Sequence, residues 1–431
     1  MKLSDLINFN PKRPLDKGVI APFIEMAGLL EGERDVARIG SRVFGGNGSK
    51  FKNGDTLFAR ITPCLENGKT AKVSGLPTDA VAHGSTEFIV MAAQDPCIDE
   101  DFVYYVARHL EFRAYAQGRM EGTSGRQRVS WQALAEYAIP DFSSLERKRV
   151  GNILSSIDNV IGSNRRINET LESMARALFK AWFIDFEPVR AKMEGRWQRG
   201  QSHPGLPAHL YDLFPSQLVE SQLGQIPKGW ESVPASQLID FNPNEPLRKG
   251  AEAPYIGMSS LPTDRSWPER PTSRAYGSGM RFRNGDTLLA RITPCLENGK
   301  TAFIQCLQES TVGWGSTEYV VMRAKAPIPP EFGYLLARDD GFREQAIRSM
   351  TGTSGRQRVQ ADSVAEFKLA SPPGEAVWAA FSQAVEPTFK SIKANAGTIE
   401  TLAELRDTLI SKLVSGELRT ADADCTTGGE S

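Results

Sequence analysis

The chain has 431 residues, 40% of them hydrophobic and 24% charged, with a formal net charge of −1; that length and composition fit an ordinary soluble globular protein of two or three domains. Near-neutral charge excludes a uniformly basic nucleic-acid binder but leaves room for a locally basic face. No apolar run approaches the roughly 20 residues of a membrane span, and "MKLSDLINFNPKRP" holds no leader-like apolar core, so no membrane association and a cytoplasmic location are expected.

Taken in chain order, "DTLFARI" from Asp55 and "TEFIVMA" from Thr86 are rich in β-branched and aromatic residues and bounded by Gly, Asn, Pro or Ser, which predicts core strands. "DFVYYVARHLEFRAYAQGRM" from Asp101 spaces its apolar residues at three and four, as an amphipathic helix does, and a Gly-Thr-Ser-Gly loop follows it. From Ser144 to about Asp185 a heptad pattern takes over: Val150, Ile153, Ile157, Val160, Asn164, Ile167, Leu171, Met174 and Leu178 alternate steps of three and four. Such a helix is roughly 60 Å long at about 1.5 Å per residue and could set a distance. The stretch from Pro188 to Gln225 lacks periodicity and is expected to be a linker. A second mixed module follows, with the helix pattern "EFGYLLARDDGFREQAIRSM" from Glu331. Then Ile392, Ile399, Leu402, Leu405 and Leu409 form a second seam expected to pack against the first. Beyond Leu418 the sequence reads as a frayed tail.

The two modules are copies. "FKNGDTLFARITPCLENGKT" begins at Phe51 and "FRNGDTLLARITPCLENGKT" at Phe282, an offset of 282 − 51 = 231. "GSTEFIVM" at Gly84 recurs as "GSTEYVVM" at Gly315, "GTSGRQRV" at Gly122 recurs at Gly352, and "LINFNP" at Leu6 pairs with "LIDFNP" at Leu238. Two long modules, rather than a solenoid, result. Asn164 and Asn395 share the offset of 231, so a polar position recurs in both seams, where a buried Asn can fix register.

Catalytic motifs fail one by one. Asn67-Gly68-Lys69-Thr70 and Asn298-Gly299-Lys300-Thr301 end like a phosphate-cradling loop, but the leading Gly is replaced by Pro63 and Pro294, which supply no N–H. Asp55 and Glu66 have no matching His or ligand cluster and suit turns better than acid–base work. No nucleophile elbow occurs, and the His residues do not recur: His83 becomes Trp314 and His109 becomes Asp339. Five Cys and four His without C-x-x-C or clustered spacing point to free thiols and no metal.

What does recur is a set of hydrogen-bonding and basic side chains on predicted loops and strand ends: Lys52/Arg283, Arg60/Arg291, Asn67/Asn298, Lys69/Lys300, Ser85/Ser316 and Thr86/Thr317. To these the "TSGRQR" loops add Thr123, Ser124, Arg126, Gln127 and Arg128, matched by Thr353, Ser354, Arg356, Gln357 and Arg358. Arg, Lys, Asn and Gln read base edges, while Ser, Thr and Lys position phosphates. Two copies of one reader suit a target with two half-sites.

Three long stretches then resemble one family, the specificity subunits of type I restriction-modification enzymes: "ALFKAWFIDFEPVRAKMEG" (177–195), "LGQIPKGWESV" (223–233) and "LRDTLISKLVSGEL" (405–418). The resemblance implies target-recognition domains of mixed α/β fold at 1–143 and 223–375, a central helical spacer at 144–186, a linker at 187–222, a C-terminal helical region at 376–419 and a disordered tail at 420–431. It implies that the two helices pair as an antiparallel coiled coil with pseudo-twofold repetition. It further implies double-stranded DNA, two modification (methyltransferase) subunits, and restriction subunits as partners. S-adenosylmethionine, ATP and Mg belong to those partners, and the chain itself performs no chemistry. The same residues would also serve the specificity module of a fused-type restriction system or an inactive, phase-variable allele. No counterpart of "IPKGWESV" precedes Leu3, so the first domain is expected to lack that segment or to be completed by the C-terminus. Matching readers imply an interrupted, near-palindromic target.

Overall fold

The computed structural model describes residues 1–123, 125–353 and 355–420. It divides into two compact units, one of 1–163 with the chain from 399 onward, the other of 164–398. Ser124, Ser354 and the tail beyond Thr420 lie outside the described residues. Among the described residues no helix is long and apolar enough to cross a membrane.

The first unit holds two four-stranded sheets. One runs in the order Ile7–Phe9, Phe88–Ala93, Thr56–Ala59, Thr70–Lys72, all antiparallel. The other runs Gly40–Val43, Ile20–Ile24, Ala82–Gly84, Ser49–Phe51, with Ile20–Ile24 parallel to Ala82–Gly84. Alternation in the first sheet explains why both faces are buried. Phe58, Ile89 and Met91 face the helices Pro96–Arg108 and Leu110–Gln117. Leu57, Phe88 and Val90 meet Ile24 and Phe51 of the second sheet. The second unit repeats this at an offset of 231: Thr56 pairs with Met91 and Thr287 with Met322. Glycine is required where the parallel strands touch, since a Cβ on Gly315 would lie 2.3 Å from the Ile256 carbonyl oxygen.

Each predicted amphipathic helix is in fact two helices, broken at His109 in the first unit and at Asp339 in the second. The Asp339 side chain accepts from Phe342 N and caps the second helix. His109 has the same extended backbone but is buried with Nδ1 unpartnered. Burial lowers its pKa below the ordinary 6.5, opposed by the Glu111 charge and a hydrogen bond to the Ser411 backbone. The unfolded chain therefore binds the proton more readily, so the stability His109 contributes is complete above its ordinary pKa and is lost as pH falls through it. Between about pH 7 and about pH 5 the wild type is expected to lose more stability than His109→Asn, which takes up no proton and can cap the helix. Equal pH slopes in denaturant titrations of the two proteins would contradict this.

The long helices Ser144–Phe179 and Ala376–Val414 both contribute residues to both units. In the first unit their segments run antiparallel, with Glu146 against Arg419 and Asp158 against Arg406. In the second the order is likewise reversed, with Asn168 against Asn395 and Trp182 against Phe381. The seam, however, is not the predicted one. Val150, Leu154, Ile161, Ala175 and Phe179 are buried, whereas Ile153, Val160, Ile167 and Met174 are 42, 47, 49 and 62% exposed. Ile157, Asn164, Leu171 and Leu178 flank the buried stripe at intermediate depth. On the second helix Ile392 is buried, Ile399, Leu402 and Leu409 are intermediate, and Leu405 is exposed. The physical reason is that the true seam buries Arg147, Ser155, Asp158 and Glu172. A count of apolar residues passes over such positions and selects the neighbouring, more aliphatic stripe. The register-fixing pair is also displaced: Asn395 Nδ2 donates to Asn168 Oδ1 at 2.8 Å.

The expected linker is packed structure. A helix at Glu187–Met193 and the strand Leu218–Ser221, which forms a hairpin with Gly224–Pro227 just beyond, lie within it, and Val189, Trp197, Leu206, Leu210 and Phe214 join the core of the second unit. The Trp-containing segment beyond it contributes Glu231–Pro234, paired with Lys368–Ser371. In the first unit Lys2 bridges Ala138 at the corresponding position, and Met1 N donates to Ile139 O. There Ile410, Leu413 and Val414 of the second long helix fill the core, and Arg419 donates to Asp141 O.

Candidate nucleic-acid interface

The "TSGRQR" loops are tight turns. Arg126 N donates to Thr123 O and Arg356 N to Thr353 O, each at 2.9 Å, with Gly125 and Gly355 in the left-handed region at φ 79° and 80°. The legs close through reciprocal backbone bonds of Glu121 with Arg128 and Thr351 with Arg358. Each loop is docked on the turn holding the cis peptides Thr62-Pro63 and Thr293-Pro294. Thr62 N donates to Gln127 O and Gln127 N to Thr62 Oγ1, at 3.1 and 3.2 Å; Thr293 and Gln357 repeat this at 3.0 and 3.1 Å.

A charged fork completes the clamp. Arg128 donates through Nε and Nη2 to Glu87, with Nη2–Oε1 at 2.7 Å, and Arg358 does the same to Glu318 at 2.7 Å. The Arg358 hydrogen bond holds the Glu318 carboxyl below the ordinary carboxylate range. Arg128 and Arg358 also donate to the carbonyls of Arg126 and Arg356. Three of the five N–H groups of each guanidinium thus hold the loop in shape. Lys69 and Lys300 are likewise turned inward, donating to the carbonyls of Met26 and Met258. Ser85 Oγ and Ser316 Oγ accept from Glu87 N and Glu318 N, a local turn bond.

The clamp leaves Thr123, Arg126, Thr353 and Arg356 exposed at the loop tips, and Gln127 and Gln357 half-buried behind them. Arg126 and Arg356 meet no carboxylate among the described residues. Thr86, Thr317, Asn67, Asn298, Lys52 and Arg283 are exposed on neighbouring turns. The Nε of both Arg60 and Arg291 is buried without an acceptor, although Arg291 Nη2 donates to Gln360 at 2.6 Å. In the first unit Arg60 and Thr86 line an open concavity with Lys12, Arg13, Ser49 and Lys50. Arg60 N donates to the Glu87 carbonyl, and Arg60 O accepts from Val129 N, so this basic hollow adjoins the loop. Among the described residues no group of three His, Cys, Asp or Glu side chains could hold a metal ion.

No family model matches the chain. It is 23% identical over 419 residues to the specificity subunit of the type I restriction enzyme HindI of Haemophilus influenzae, covering 85% of this chain and 87% of that one. It is 25% identical over 340 residues to the MjaIX specificity subunit of Methanocaldococcus jannaschii, covering 74% and 69%. The chain is a homologue of type I restriction-enzyme specificity subunits. The fold agrees: the crystal structure of a type I restriction-modification S subunit from M. genitalium superposes with a TM-score of 0.51 at 15% identity, over 96% of this chain and 95% of that one.

In this specificity-subunit homologue, sequence reasoning missed Lys12, Arg13 and Lys50. Selecting only residues that recur discarded Lys12 and Arg13, which become Asn244 and Glu245, whereas Lys50 recurs as Arg281 and was simply passed over. The signal available was the basic "NPKRP" string at Asn10. The Asp55 and Asp286 carboxylates accept from Lys52 N and Arg283 N, so both stabilise turns. Each also carries an Arg, but a different one: Arg13 in the first unit and Arg323 in the second.

Proposed function

We propose that this chain is the DNA sequence-specificity subunit of a type I restriction-modification complex. It reads a bipartite, near-palindromic target in double-stranded DNA, one half-site per recognition module, and performs no chemistry itself. The duplicated Arg126/Arg356 loop carries this reading: two copies of one clamped turn each present an exposed guanidinium, with Arg60 and Arg291 buried but unsatisfied at Nε nearby. Clamping lowers the ordering cost of a base contact, which supports recognition over a merely solvated loop.

Modification subunits dock on the exposed aliphatic positions of the first long helix, Ile153 and Val160 in one unit and Ile167 and Met174 in the other. Solvated helix faces are seldom aliphatic at a strict spacing of seven, and a partner helix would cover them. With net charge −1, the chain alone binds DNA weakly, and affinity appears with the complex. Methyl transfer, ATP-driven translocation and cleavage belong to partner subunits in the cytoplasm.

Co-expression tests this. The modification subunit together with this chain is expected to methylate plasmid DNA at one set of sequences, and without it to leave the plasmid unmodified. Methylation that is independent of this chain would refute the reading.

A further inference from the structure

The two modules share a framework and differ in several connecting segments, among them 25–39 against 257–271 and the loop 10–15 against 242–247; the loop 10–15 lines the mouth of the basic hollow of the first unit. Both loops are touched by a basic residue at matching strand positions, through the backbone in the first and a side chain in the second. Lys50 Nζ donates to Arg13 O and Leu15 O at 3.1 and 3.2 Å. Arg281 Nη2 donates to Asn244 Oδ1 at 2.6 Å. Below them the charges are exchanged. Arg13 pairs with Asp55, whereas Glu245, in its place, pairs with Arg323 at 2.6 Å, and Arg323 in turn pairs with Asp286. Ala92 stands where Arg323 stands. The ion pairs therefore fix each loop internally, and the difference offered outward is Lys12 against Asn244, both exposed. Lys12 lines the hollow beside Arg60 and makes no hydrogen bond or ion pair among the described residues.

We propose that at this loop the target departs from a palindrome: Lys12 reads guanine in the first half-site, and Asn244 reads adenine at the equivalent position of the second, whatever the other unlike segments add. An ammonium only donates, which suits the N7 and O6 acceptors of guanine. A carboxamide donates and accepts, which suits adenine N7 and N6, and Asn244 Oδ1 keeps a lone pair beside its bond to Arg281. The bases read by the shared Arg60/Arg291 and Arg126/Arg356 are the same in both halves. This rests on the reading given under Proposed function.

The test is methylation mapping with the full complex carrying Lys12→Asn, and separately K12N/R13E/A92R, which transplants the second loop with its ion-pair network. In both, one guanine of the first half-site is expected to change to adenine, the second half-site staying as it was. Methylation at the original sequence should fall roughly tenfold or more. Lys12 is a solvent-exposed residue, so its single variant folds even if the triple variant does not. An unchanged motif in Lys12→Asn overturns the inference, whether affinity is retained or falls uniformly over all sequences as for a phosphate contact. So does a wild-type motif that is a perfect palindrome. A wild-type complex that methylates without sequence preference instead removes the specificity-subunit reading itself.

Discussion

Arg406→Ala is expected to lower the unfolding free energy by about 3–5 kcal/mol, the usual cost of stranding a buried charge. Arg406 Nη1 and Asp158 Oδ1 are 2.6 Å apart, and both side chains are 3% exposed. Tyr105 OH donates to the other Asp158 oxygen at 2.7 Å, and Arg406 also donates to Gly32 O. Truncation leaves the carboxylate with one neutral donor in a dry seam. The pair need not be net stabilising relative to a hydrocarbon seam, so a double variant, Asp158→Leu with Arg406→Met, should recover most of the loss. Urea titrations decide: a loss below about 1 kcal/mol for Arg406→Ala, typical of an exposed pair, would contradict the account.

Arg126→Ala combined with Arg356→Ala is expected to cost the complex roughly 1–3 kcal/mol per base contact, hence about thirtyfold or more in affinity for its target duplex. These two guanidinia stand exposed at the tips of clamped turns, whereas Arg128 and Arg358 are committed to Glu87 and Glu318. The loss should fall on the specific duplex and largely spare binding to unrelated DNA, because base readers carry the sequence information. Competition titrations at fixed salt measure both. Equal losses on the two duplexes would reduce the loop to a phosphate contact.

How much was legible follows from which forces leave a mark in sequence. The sheets were legible because strands such as Thr56–Ala59 are buried on both faces, which writes an apolar run. The repeated Gly-Thr-Ser-Gly loops were legible as loops because they recur. The helix seam was misplaced by one stripe because it is built partly from Asp158, Arg406 and Glu172, whose burial depends on partners distant in the chain. The break at His109 left no Pro or Gly to mark it, and the segment at 187–222 packs through scattered aromatic residues such as Trp197 and Phe214 that have no period. For the candidate residues, orientation was not legible: nothing local says that Arg128 turns to Glu87 while Arg126 does not. Lys12 was passed over because it is one of the positions at which the copies differ.

Sequencing of methylated bases in plasmid DNA modified by the wild-type complex tests the central claim most directly. Two matched modules on one chain predict a single interrupted motif, with two half-sites that share bases on opposite strands and differ at the position faced by Lys12 and Asn244. A continuous motif, or two half-sites with no base in common, would contradict it.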